Sequence, residues 1–178
     1  MKKIILFLLF TQYIGLAQST NYQDKLQKLP KEIVKNYRII NDKFEHATNI
    51  FSKSSDGAKI KLNIKITDDQ CILRLYSFYS ASTWLFIDSI SFLINGETYK
   101  IESINSANKQ IGIGQGIAER TYTIVDNELL RVVGKIIDSK VPVEVRFHGN
   151  NEYFDFKLSK KNIAAMKETL ALYQNIIE

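Results

Sequence analysis

The sequence predicts a mainly β, α+β protein: an antiparallel β-sandwich-like fold or a strongly curved sheet, with an N-terminal helix, one short internal helix and a C-terminal helix. Three observations carry this. Several segments alternate apolar and polar residues with period two, and Lys59-Ile60-Lys61-Leu62-Asn63-Ile64-Lys65-Ile66 does so without a fault. Short turn signals, Asp68-Asp69, Asn95-Gly96 and Asn150-Asn151, stand between such segments. Nothing alternates strand and helix over the lengths that a doubly wound sheet requires.

Composition bounds the reading. The 178 residues include 45% apolar side chains, two prolines and one cysteine. That suffices for a single packed domain, and one cysteine closes no internal disulfide. Lys2 and Lys3 precede the apolar run Ile4 to Phe10, and Gly15-Leu16-Ala17 supplies the small residues of a cleavage site. The run is too short for a permanent membrane span, where about 20 residues are needed. Residues 1–17 therefore read as a signal peptide, 18–42 as a helical arm, and 43–178 as one β-rich domain. The implied address is extracytoplasmic, periplasmic or secreted. A lipid anchor would need a cysteine directly after the cleavage site, and Gln18 stands there. Removing residues 1–17 takes away two lysines and lowers the net charge from +5 to +3. The excess lies in residues 18–66, with ten Lys/Arg against five Asp/Glu, but a net charge so small argues against a nucleic-acid partner.

Along the arm, Leu26, Leu29, Ile33, Tyr37 and Ile40 make a helical stripe, with the helix start placed near Pro30. Phe44 to Ser52 reads as the first strand. If Asp68-Asp69 is a hairpin loop, Ile66 faces Cys71, Ile64 faces Leu73 and Leu62 faces Leu75, all apolar on one side. The other side pairs Asn63 with Arg74 and Lys61 with Tyr76. Trp84 to Ile94 reads as one strand covered on both faces, and Asn95-Gly96 then pairs Phe92 with Tyr99 and Ile90 with Ile101. Residues 103–117 read as a polar, glycine-containing loop, and 121–125 as a strand. Asp126 is a helix cap for Leu129, Leu130, Val133, Ile136 and Ile137. The Asn150-Asn151 loop pairs Phe147 with Phe154 and Val145 with Phe156 inside, and His148 with Tyr153, Arg146 with Asp155 and Glu144 with Lys157 outside. Ser159 caps a final helix whose stripe is Ile163, Met166, Leu170, Tyr173 and Ile177.

The chemistry-bearing residues are sparse. His46 and His148 lack any metal-ligand spacing, so no metal site is predicted. Cys71 falls on the core face, where a thiol behaves as a small hydrophobe rather than a nucleophile. Gly112-Ile113-Gly114-Gln115-Gly116 has neither the preceding strand nor the following helix of a dinucleotide fingerprint. No serine sits in a nucleophile elbow. Trp84 with Tyr76, Phe78 and Tyr79 suggests a sugar-stacking platform, with core packing the simpler account. No catalytic residue and no cofactor are predicted.

Trp84 to Phe92 followed by Asn95-Gly96, and Val145 to Gly149 with Tyr153 and Asp155, resemble small exported bacterial β-domains found as secreted proteins or lipoproteins. That resemblance covers about residues 42–175 and implies no activity. The expectation is an exported, non-catalytic binding or structural module of the cell envelope. Its contact surface is Arg146, His148, Tyr153 and Asp155, and its partner a protein or envelope polymer. The alternative is an envelope hydrolase whose carboxylate pair is assembled only by the fold. A structural homo-oligomer pairing through residues 59–66 is a third option, which their alternating lysines oppose.

Overall fold

A computed structural model describes residues 21–102, 108–112, 116–150 and 152–178. The segment read from its sequence as a signal peptide, residues 1–17, lies outside the described residues. In chain order the elements are α1 (Tyr22–Lys28), α2 (Lys31–Val34), β1 (Tyr37–Asp42), β2 (Ala47–Ser52), β3 (Ile60–Ile66), β4 (Cys71–Ala81), β5 (Ser89–Ile94) and β6 (Glu97–Ile101). Then follow β7 (Asn108–Gly112), β8 (Gly116–Ile124), α3 (Asn127–Asp138), β9 (Glu144–His148), β10 (Tyr153–Lys157) and α4 (Lys160–Ile177). The strands form two antiparallel sheets, six strands in the order β1-β2-β3-β4-β8-β7 and four in the order β10-β9-β5-β6.

Both sheets feed one apolar cluster. Ile50, Ile60, Leu62, Ile64, Ile66, Leu73 and Leu75 line the inner face of the large sheet, and Ile90, Phe92, Val145 and Phe147 that of the small one. Tyr79 meets Phe154 edge-on at 5.4 Å between the sheets. Helix α4 lies on the same side of the large sheet, where the Tyr37 hydroxyl donates to the Glu168 carbonyl at 3.1 Å. The mainly β expectation holds, and the two antiparallel sheets are consistent with its sandwich-like form.

The three hairpin registers drawn from turn chemistry are found: Ile66 opposite Cys71, Phe92 opposite Tyr99, and Phe147 opposite Phe154. Asn95 and Gly96 both adopt positive φ, at 52° and 85°, as a type I′ turn requires. Asp126 accepts from the N–H groups of Glu128 and Leu129, and Ser159 from that of Asn162.

Several expectations are corrected. The arm does not carry one helix running on from Pro30: α1 precedes the proline, and α2 after it spans only Lys31–Val34. The residue before Pro30, Leu29, is extended at φ −64° and ψ 144°, as the proline ring demands, so α1 ends there. Tyr37 to Asp42 then pair with β2 as an edge strand, and the apolar spacing that looked helical is split between two structures. The strand expected over Phe44–Ser52 is the second, β2, and starts only at Ala47, with Phe44 almost wholly exposed. Residues 103–117 are not one loop, because Asn108–Gly112 pair with β8, with Gly112 opposite Gly116. Gly114 of the glycine motif lies outside the described residues. Residues 59–66 are no edge, since β3 sits between β2 and β4. In α4 the fully buried positions are Ala165, Met166, Thr169, Leu172 and Ile176, a stripe rotated from the expected one. Thr169 can be inside because its hydroxyl donates to the Ala165 carbonyl at 2.8 Å.

The expected strand Trp84–Ile94 begins only at Ser89. Residues 82–88 instead cross from the large sheet to the small one, held by Glu119 of β8. This carboxylate is fully buried. Its Oε1 accepts from the N–H groups of Leu85 and Phe86 at 2.6 and 2.8 Å, and its Oε2 from that of Ile87 at 2.9 Å. Three consecutive N–H groups converge on one anion only when the chain leaves the extended conformation, as in a backbone nest. Phe86 supplies the departure with φ 58°. Leu85 and Ile87 turn inward, while Phe86 stays at the surface against Trp84.

Candidate functional site

The four predicted site residues are brought together on the outer face of the small sheet. The alternation of β9 and β10 turns Val145, Phe147, Phe154 and Phe156 inward, which forces Arg146, His148, Tyr153 and Asp155 outward. Arg146 faces Asp155 directly, and its Nε and Nη2 each donate to a different Asp155 oxygen at 2.7 Å. This fork fits a carboxylate in two places at once. The same guanidinium lies 4.0 Å from the Tyr153 ring centre. Hydrogen bonding to Arg146 holds the Asp155 carboxyl below its ordinary pKa, and Asp155 in turn raises Arg146.

His148 stands opposite Tyr153 in β10 and Ser89 in β5. Its Nε2 lies 2.8 Å from the Ser91 hydroxyl, so the ring leans across β5. Glu144 pairs with Lys157 at 3.0 Å one row further along. These rows border a groove of about 460 Å³ that also touches Leu93 and Thr98 of the β5–β6 hairpin. Tyr153 is 63% exposed and Leu93 39%, so apolar surface lies beside fixed charge. Both carboxylates of the groove, Asp155 and Glu144, are engaged by a cation.

The other candidates are dispersed. His46 sits in the turn before β2 with φ 46°. Cys71 is half-buried opposite Ile66, and burial pushes its thiol up to about 11. Tyr76 and Phe78 lie on the outer face of the large sheet, Tyr79 points inward to Phe154, and Trp84 stacks on Phe86 at 5.8 Å. A shared sugar platform is therefore not formed by these four. Among the described residues, no group of three or more His, Cys, Asp or Glu is placed to hold a metal ion. No described helix is long and apolar enough to cross a membrane.

Sequence reasoning missed the outer face of the large sheet. Registers across β1, β2, β3, β4 and β8 align Arg38, Phe51, Asn63, Arg74 and Ile124 in one row, and Lys61, Tyr76 and Tyr122 in the next. Cations and rings alternate there. Arg38 and Lys61 both lie over Phe51, at 5.7 and 5.2 Å, and Lys61 also over Tyr76 at 4.8 Å. Arg74 lies 4.4 Å from the Tyr122 ring, and Arg120 5.7 Å from that of Phe78. The β3–β4 register gave Lys61–Tyr76 and Asn63–Arg74, but nothing in the sequence said which strands flank that hairpin.

No family model matches this chain, and comparisons with curated proteins and with solved structures give no match either.

Proposed function

We propose that the protein is a non-catalytic binding module exported to the bacterial cell envelope, and that the outer face of its small sheet, Arg146, His148, Tyr153 and Asp155, meets a protein partner. The observation that carries this reading is the state of Arg146. It is clamped by Asp155 on one side and by the Tyr153 ring on the other, at the border of a groove. A side chain already fixed loses little freedom on binding, and Arg and Tyr are the residue types that most often dominate such interfaces. The engaged carboxylates, Asp155 and Glu144, favour recognition over hydrolysis, because a carboxylate pair for glycoside chemistry needs one free nucleophile or base. The N-terminal signal pattern and the resemblance to exported bacterial β-domains support the envelope address.

The test is capture from an envelope extract by the chain lacking residues 1–17, at low and high salt, with bound species identified by mass spectrometry. A discrete partner retained by wild type and lost by the Arg146→Ala/His148→Ala variant is the expected result. A partner retained equally by both would remove this face from the reading.

A further inference from the structure

We propose that the outer face of the large sheet carries a binding site for a phosphate-type oxyanion, centred on Lys61, flanked by Arg38 and Arg120, and walled by the Phe51 and Tyr76 rings. The site is on the other sheet from the surface proposed above and does not depend on it.

Lys61 is the anomaly that leads here. Only 8% of the residue is exposed. Its ammonium meets two aromatic rings, 5.2 Å from the centre of Phe51 and 4.8 Å from that of Tyr76. Among the described residues no carboxylate comes within 4.0 Å of it. A buried cation is ordinarily paired, because removal from water is costly and ring faces offset only part of that cost. The neighbouring cations are satisfied. Arg38 bonds Asp56 at 3.1 Å, Lys65 bonds Glu45 at 2.6 Å, and Arg74 donates to Asn63 at 3.1 Å and Asn49 at 2.6 Å.

The field around Lys61 is positive as well. Burial is the main cause that holds its pKa below that of an ordinary lysine, and the charges of Arg38 and Arg120 add to it against the opposing pull of Asp56. Arg120 also hydrogen-bonds Tyr76, which places a guanidinium at the far wall. What converges is one ammonium and two guanidinium groups, with the Asp56 carboxylate held on Arg38 as an acceptor beside them. An anion with several oxygens can meet such donors from more than one side, whereas a carboxylate has two oxygens in one plane. That geometry selects phosphate-type chemistry, and the position of Lys61 between two rings sets its centre.

The experiment is titration calorimetry with thermal unfolding of the purified protein in sodium phosphate, tripolyphosphate, acetate and chloride at matched ionic strength. Saturable binding and a rise in unfolding temperature are expected with phosphate or tripolyphosphate and not with acetate or chloride. Saturation by phosphate alone assigns a free ion as ligand, and saturation by tripolyphosphate alone assigns a group carried on a chain. Lys61→Met keeps the stem between the rings and should weaken binding at least tenfold. If that variant fails to fold, Arg38→Gln serves instead, since it removes a flanking charge from the exposed edge and should weaken binding severalfold. Equal effects of phosphate and chloride, or unchanged binding in both variants, would overturn the proposal.

Discussion

Glu119 Oε1 lies 2.6 Å from the Leu85 amide nitrogen, across 34 residues of sequence and from the large sheet to the segment that crosses to the small one. With the Phe86 and Ile87 amides added, the carboxylate replaces the ladder partner that residues 85–87 lack, and so fixes where the chain leaves the large sheet for the small one.

Replacing Glu119 should therefore cost more than a typical buried substitution. Glu119→Ala leaves the buried Leu85 and Ile87 donors without this acceptor, and at 1 kcal/mol or more each the loss is about 2 kcal/mol or above. Glu119→Gln keeps one acceptor oxygen but turns its amide NH2, itself a donor, toward the N–H groups that the other oxygen served, and should recover only part. Urea unfolding of the three proteins checks the order wild type, Gln, Ala. Equal midpoints would mean that the 85–87 segment is held by packing alone.

Gly149 makes a second demand on the same segment. A Cβ built there lies 1.8 Å from the Leu85 carbonyl oxygen and 2.7 Å from its carbon, both rigid backbone atoms. Gly149→Ala should destabilise by about 1–3 kcal/mol through overpacking, although its φ is ordinary for any residue. The control is Gly134→Ala on α3, where nothing lies within 4 Å, and which should be neutral or slightly stabilising. Thermal unfolding of the two variants separates them.

These two contacts show where the sequence was legible. The hairpins at Asp68-Asp69, Asn95-Gly96 and Asn150-Asn151 could be read because turn chemistry fixes register locally, and the outward strip of Arg146 and Asp155 followed from it. The apolar run Trp84–Asp88 looked like a strand because period and burial do not reveal a nest, which needs an acceptor from a distant strand. Pairing of β4 with β8 is likewise non-local, so neither Glu119 nor the row of Lys61, Tyr76 and Tyr122 could be assembled beforehand. Tyr37 and Ile40 joined a helical stripe because helix and strand spacings coincide over so few residues.

The Cys71 thiol should be slow to react. With its pKa pushed up to about 11 by burial, its thiolate is scarce at pH 8. Alkylation by iodoacetamide should run on the order of a hundredfold slower than in denaturant. A native rate equal to the denatured one would place the thiol at the surface.

Alkaline pH should weaken the fold through Tyr37. Burial, and secondarily Glu168, raises its pKa from 10.0 to about 12. A raised folded pKa means that the stabilisation is complete below pH 10 and lost as pH climbs toward 12. The loss amounts to about 3 kcal/mol at most. Tyr37→Phe should begin about 1 kcal/mol less stable at pH 8, for want of the hydrogen bond to Glu168, and should lack this alkaline decline. Parallel pH profiles of the two proteins would contradict the assignment.

The most direct measurement of the proposed function places a photo-reactive residue at Tyr153, the exposed ring of the small sheet, and a second at Ile40, exposed on the large one. Each is irradiated in an envelope extract. The binding reading predicts a discrete adduct from position 153 that disappears when Arg146→Ala is added, and none of the same mass from position 40. An adduct from position 40 alone, or one at 153 indifferent to Arg146, would contradict it.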